Sequence, residues 1–180
     1  RLDTQKNYWS QYAFQFAHEF GHIICGYKAG DQSNQWFEET LCETASLFAL
    51  RKMSIAWQTA APYPNWKGYG PAFKKYAQER IDEHPWPKST SLASWYRKNA
   101  EALKKNSTAR NKNTLVATQL LPLFEEKPER WAAVAYLNTR KTNKSRDFSK
   151  YLADWRASCP PNRKAFVNEI ARLFEVELPR

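Results

Sequence analysis

No apolar run in this 180-residue chain approaches the ~20 residues that a membrane-spanning helix needs, and no signal peptide opens it. A membrane span is therefore not expected. Cysteine is scarce, three residues in all, and so small and odd a number makes no disulfide framework. Cys25 and Cys42 are expected as buried free thiols, or as a single bridge if the compartment is oxidising. Methionine occurs once, as Met53, and the chain opens on Arg1. An upstream segment or propeptide is accordingly expected to be missing, which leans toward a secreted or periplasmic protein over a cytoplasmic one. Internal repeats, low-complexity tracts and nucleic-acid-binding motifs are absent. Histidine is the last scarcity and the most informative: of three, two stand four residues apart.

Those two lie in AHEFGHIICGY, residues 17–27, where His18, Glu19 and His22 take the spacing HExxH. On an α-helix, residues four apart share a face one turn apart, so both imidazoles can meet one metal ion. Glu19, about 100° round the helix, projects beside it. Two nitrogen ligands at about 2.0–2.1 Å, with a carboxylate placed to take a proton from zinc-bound water of pKa about 7, suit zinc-dependent hydrolysis. The alternative is a core helix that happens to carry two histidines, for Phe14, Phe16, Phe20, Ile23 and Ile24 make the segment apolar. Against it, burying two imidazoles and a carboxylate among such residues costs several kcal/mol unless each is paired, and a metal pairs all three.

Catalytic zinc takes three protein ligands and keeps one position open. Cys25 lies on the histidine face but stands about 10.5 Å of helix rise beyond His18, too far to share its ion. The next segment, residues 36–57, contains neither glycine nor proline and reads as a second helix carrying Glu38, Glu39 and Glu43. Glu39 and Glu43 are one turn apart on a face that continues through Ser46 and Leu50. Carboxylates on an otherwise apolar helix are unusual as surface decoration.

With HEFGH followed by a glutamate on a second helix, the chain resembles the gluzincin group of zinc metallopeptidases, typified by the thermolysin and aminopeptidase N families. The resemblance covers residues 8 to about 57. It implies Zn2+ as cofactor, His18 and His22 as ligands, Glu19 as general base, and a peptide or protein substrate. It further implies Glu43 as third ligand, since CETASLF is similar to the thermolysin-type pattern, in which a small residue, here Ser46, follows the glutamate by three. Glu39 is the runner-up, because WFEE is similar to the W-x-x-E of the aminopeptidase group. A metzincin pattern is rejected: it needs a glycine and a third histidine where this chain has Cys25 and Lys28. The resembled families use a tyrosine or histidine to donate to the oxyanion, which makes Tyr63, Tyr69 and His84 the candidates. They also place a β-sheet before the HExxH helix. Residues 8–17 already read as helix with Asn7 as N-cap, so that sheet is expected upstream of this chain, or the cleft is built another way.

The fold class expected is mainly α: zincin-like core helices followed by an all-α C-terminal subdomain, the β-sheet being absent from this chain. One compact domain is expected by length, with the metal helices in residues 1–60, an aromatic, proline-rich loop and a helix near the cleft in 61–90, and the helical subdomain in 91–180. Gly30 reads as a helix C-cap, Ser33 or Asn34 as the next N-cap, and AAPYPNWKGYGP as a non-helical loop. Further helices are read at 71–82, 91–105, 113–125, 128–138, 145–156 and 161–174. Leu121, Phe124, Trp131, Val134, Phe148, Leu152, Trp155, Phe166, Ile170 and Leu173 are among their core positions.

A formal net charge of +10 raises a second function, a non-catalytic zinc-stabilised binding domain with a basic surface for nucleic acid or an anionic cell-surface polymer. Arg97, Lys98, Lys104, Lys105, Arg110 and Lys112 form one basic stretch, and Arg140, Lys141, Lys144, Arg146 and Lys150 another. Both fall at loops and helix ends without the interleaved aromatics of a stacking platform, so nucleic acid is the less expected partner and a peptidase the expected function.

Overall fold

The computed structural model describes residues 8–27, 32–140 and 146–179, and every regular element among them is helical. The organising element is α2, Gln35–Ala56, a helix free of breakers in which more than half of the 22 residues are buried. A helix buried on several sides has to be surrounded. Along it lie α1 (Trp9–Ile24), α3 (Gly70–Asp82) and α5 (Arg110–Glu126). The helices α4 (Leu92–Lys105), α6 (Trp131–Val134), α7 (Phe148–Ser158) and α8 (Lys164–Leu173) close over its first half.

Two apolar clusters result. Trp36, Phe37 and Leu41 of α2 pack with Leu120, Phe148, Trp155 and Phe174, with ring centroids 4.9 Å apart for Trp36 and Phe148. Further along α2, Leu47 and Leu50 pack with Phe73, Ala77, Ala117 and Leu121, while Phe48 touches both clusters. The first cluster ties α2 to helices beyond position 91, so the helices expected to hold the metal and the C-terminal helices share one core.

α1 meets α2 through small residues. Ala17 and Gly21 are buried, and a Cβ on Gly21 would stand 3.0 Å from both the Cα and the Sγ of Cys42. Glycine is what allows the two backbones to approach this closely. Ser46 then donates its hydroxyl to the Phe14 carbonyl at 2.8 Å. Phe14 and Ile24 pack against the core, but three other large apolar residues of α1 point the other way: Phe16 is 61% exposed, Phe20 48% and Ile23 72%. The expected burial of the imidazoles among phenylalanines and isoleucines is therefore corrected. His18 and His22 face inward with Gly21 and Cys25, whereas Phe16, Phe20 and Ile23 lie roughly half a turn round the helix.

Most other expected helices are present with shifted ends. Ser91 caps α4 by accepting from the Ser94 N–H at 3.1 Å. Asp147 caps α7, accepting from the Lys150 N–H at 2.7 Å. The segment expected to be helical over 128–138 opens as a 3-10 turn, Pro128–Arg130, and its α-helical part ends at Val134. The loop expected from AAPYPNWKGYGP contains a 3-10 helix, Pro64–Tyr69, pinned by Trp66 stacking on Trp57 at 5.6 Å. Asn34 stands at the N-cap position of α2, but its amide donates to the Arg146 carbonyl at 2.8 Å instead of capping the helix. Leu173, expected in the core, is 37% exposed, and Val167 and Ala171 are buried in α8 alongside Phe166 and Ile170. Asn7, Gly30, Lys28, Lys141, Lys144 and Ser145 lie outside the described residues.

Candidate metal centre

The HExxH helix and α2 run side by side so that two imidazoles meet three carboxylates. His18 Nε2 is 3.3 Å from Glu39 Oε2, and His22 Nε2 is 3.7 Å from Glu39 Oε1. One donor atom from each of His18, His22 and Glu39 lies within 4.8 Å of the other two. The remaining imidazole nitrogens face different carboxylates. His22 Nδ1 is 2.6 Å from Glu38 Oε1, and His18 Nδ1 is 3.7 Å from Glu43 Oε2.

Each outer carboxylate is itself held. Glu38 Oε2 accepts from Asn138 Nδ2 at 2.7 Å, and Asn138 Oδ1 accepts from the Tyr151 hydroxyl at 3.0 Å. Glu43 Oε1 accepts from the Thr114 hydroxyl at 2.9 Å. Of the two candidates from sequence, the runner-up Glu39 is the one grouped with both imidazoles. Glu39 lies opposite the gap between the imidazoles and reaches both ε-nitrogens. Glu43, one turn on, reaches only the δ-nitrogen of His18. Glu38, Asn138, Thr114 and Tyr151 were not singled out as site residues by the sequence. The adjacency of Glu38 to Glu39 is a signal in principle, but Thr114 and Tyr151 come from α5 and α7 and Asn138 from the turn after α6, all remote in the chain.

This setting raises the pKa of both imidazoles. Burial pulls the pKa of His18 down, but the hydrogen bonds and charges of Glu39 and Glu43 outweigh it and leave it raised to about 9. His22 is raised chiefly by its bond to Glu38, with burial working against it. Behind the site, Cys25 and Cys42 are buried free thiols, and the Cys42 thiol is pushed up by its contact with Cys25 and by burial.

Glu19 is exposed and borders two cavities. One, of about 750 Å³, is lined by Glu19, His22, Ile23, Tyr27 and Glu39 among others. The other, of about 130 Å³, is lined by Phe14, Gln15, His18, Glu19, Glu43, Arg80 and Arg110. None of the three expected oxyanion donors lines either cavity. Tyr63 packs edge-on against Trp66, Tyr69 packs against Phe73, and His84 ends a turn after α3, its N–H bonded to the Ile81 carbonyl. Tyr27, set edge-on to His22 at 5.9 Å, is the tyrosine that reaches the site.

The donor set fits zinc. Ligands on a tetrahedral zinc at about 2.0–2.1 Å stand about 3.3–3.4 Å from one another, so the three donors need close by no more than about 1.4 Å. Glu38 also takes up the second nitrogen of His22, as a ligating histidine requires, and Glu43 stands 3.7 Å from that of His18. The basic stretches make a poorer site. Arg140, Arg146 and Lys150 converge on Asp154 at 3.4, 3.2 and 3.1 Å. Compared with protein-family models, curated proteins and solved structures, the chain gives no match.

Proposed function

We propose that this chain carries the zinc site of a gluzincin-type metallopeptidase and hydrolyses peptide bonds with Glu19 as general base. The observation that carries the reading is the division of the imidazole nitrogens: both ε-nitrogens converge on Glu39, and both δ-nitrogens are turned toward other, anchored carboxylates. Histidines and glutamates also pair without a metal, and a purely structural ion-pair cluster is the competing reading. Glu19 speaks against it. An exposed carboxylate with no hydrogen-bond or ion-pair partner among the described residues adds nothing to such a cluster, yet it stands beside the three donor groups.

Bound zinc supplies Lewis acidity and lowers the pKa of a water molecule to about 7. Glu19 takes the proton of the attacking water, holds it on a carboxylate oxygen and returns it to the leaving amine nitrogen. Glu38 and Glu43 keep the two imidazoles turned with their ε-nitrogens toward Glu39. The larger cavity, with Ile23 and Tyr27 in its wall, receives an apolar part of the peptide.

Glu19→Gln keeps the side-chain shape and removes the base. It is expected to leave zinc content unchanged and to lower peptide hydrolysis by about 10²–10⁴. His18→Ala loses zinc and activity together, and Glu39→Ala loses more zinc affinity than Glu43→Ala. Undiminished turnover in the Glu19→Gln protein refutes the mechanism. A zinc-loaded wild-type protein inert on a broad peptide set refutes the hydrolase and leaves a binding or structural role.

A further inference from the structure

The smaller cavity differs in character from the larger one. At about 130 Å³ it has room for about four water molecules, the scale of one small side chain or a chain end. Two arginines from different helices line it. Arg80, in α3, stacks its guanidinium over Phe14 at 5.8 Å and ties Nη1 to Glu83 at 2.5 Å, while its Nε is buried with no hydrogen-bond partner. Arg110, the first residue of α5, has no ion-pair partner among the described residues. It stands where α5 begins without a side-chain cap, so the first N–H groups of a 17-residue helix add positive potential at the same end. Two carboxylates also line the cavity, and only one of them is engaged. Glu43 is bonded to Thr114 and faces His18, and Glu19 stands at the border with the larger cavity.

Two guanidinium groups in the wall of one small cavity, Arg80 held over Phe14 and Arg110 without an ion-pair partner among the described residues, suit a planar anion. We infer that Arg80 and Arg110 form a subsite for a substrate carboxylate within one residue of the bond to be cleaved. This inference rests on the peptidase reading and gives it a substrate class. The chain acts on peptides whose terminal residue, or an Asp or Glu side chain at that position, places a carboxylate in the Arg80/Arg110 cavity, while the residue on the other side of the bond lies against Ile23 and Tyr27.

Binding separates this from catalysis. Acetyl-Ala-Phe-Ala as the free acid, the same peptide as its C-terminal amide, and acetyl-Ala-Phe-Asp amide are titrated by calorimetry into metal-free protein and into zinc-loaded Glu19→Gln protein. The free acid is expected to bind at least about tenfold more tightly than the amide in both forms, the scale of a charge-assisted hydrogen bond. Arg110→Gln, at an exposed position, removes that preference, as does Arg80→Gln, whereas Lys127→Gln retains it. The Asp-containing amide binding like the free acid assigns the subsite to side chains; its binding like the plain amide assigns it to chain termini. Equal affinity for acid and amide, or a preference that survives in the folded Arg110→Gln protein, overturns the subsite. Cleavage without carboxylate preference would remove the subsite and leave the hydrolase, and carboxylate-dependent binding without cleavage would do the reverse.

Discussion

Asn138 shows how much of the site is set by residues that never touch the donor group. It holds Glu38, which holds His22, and Tyr151 holds Asn138 in turn. Loss of such an outer partner typically costs ten- to a hundredfold in metal affinity. Asn138→Ala is expected to fall in that range by competition with a chromophoric chelator, with secondary structure retained; an unchanged affinity would make Glu38 self-sufficient. A second expectation at this scale concerns protons. With His18 raised to about 9 and His22 raised as well, the metal-free protein carries a proton on His18 at pH 7.5, and zinc has to displace it. Calorimetry in buffers of different ionisation enthalpy should count at least about one proton released per zinc. Identical heats in every buffer would mean that both imidazoles are already neutral.

Between elements, the contact that matters is α1 on α2, because the two imidazoles ride on one helix and Glu39 on the other. Gly21 sets their separation at Cys42. Gly21→Ala gains about 1 kcal/mol of helix propensity but forces a methyl group against backbone, and overpacking of that kind costs about 1–3 kcal/mol. The expected result is a helical protein whose zinc affinity falls more than its thermal stability does. Wild-type affinity in that variant would show that α1 can shift without moving its histidines. The outward face of α1 is equally particular. Phe16 and Phe20 stack at 6.0 Å while remaining exposed, so the helix carries large apolar side chains on the side away from the metal group, where an ordinary surface helix is polar.

Over the whole molecule, the cluster ties stability to pH. In the metal-free protein the folded pKa of His18 lies above its unfolded value of about 6.5, so its contribution, about 3 kcal/mol, is complete below pH 6.5 and is lost as pH rises through about 9. At the acid end, burial works to raise the pKa of Asp154, but bonds from Lys150 and Arg146 lower it on balance. Its contribution is present above the ordinary aspartate range and lost as pH falls through the depressed value. Urea unfolding of metal-free protein should therefore show greatest stability at about pH 5–6.5 and a decline toward pH 9. Zinc, which binds neutral imidazole, should remove most of that alkaline decline. A flat profile from pH 6 to 9 without metal would contradict the charge assigned to His18. No helix among the described residues is long and apolar enough to cross a membrane.

The sequence by itself determined the helical class, the position of each long helix to within a few residues, and the HExxH face, because these depend on local spacing: His18 and His22 share a face whatever surrounds them. It also marked α2 as the partner, since Glu38, Glu39 and Glu43 on a helix without breakers had no surface explanation. Which carboxylate meets both imidazoles was not legible. Glu39 and Glu43 share one face of α2, and their order is set by how far α1 slides along it, which depends on the approach at Gly21 and Cys42. Nor could spacing reveal that Asn138, Thr114 and Arg110 stand at the site, since α5 and the turn after α6 bring them there from far along the chain. Apolarity alone likewise misplaced Phe16, Phe20 and Ile23. A helix has one inward face at a given contact, and here the histidines and the small residues Ala17 and Gly21 occupy it in place of Phe16, Phe20 and Ile23.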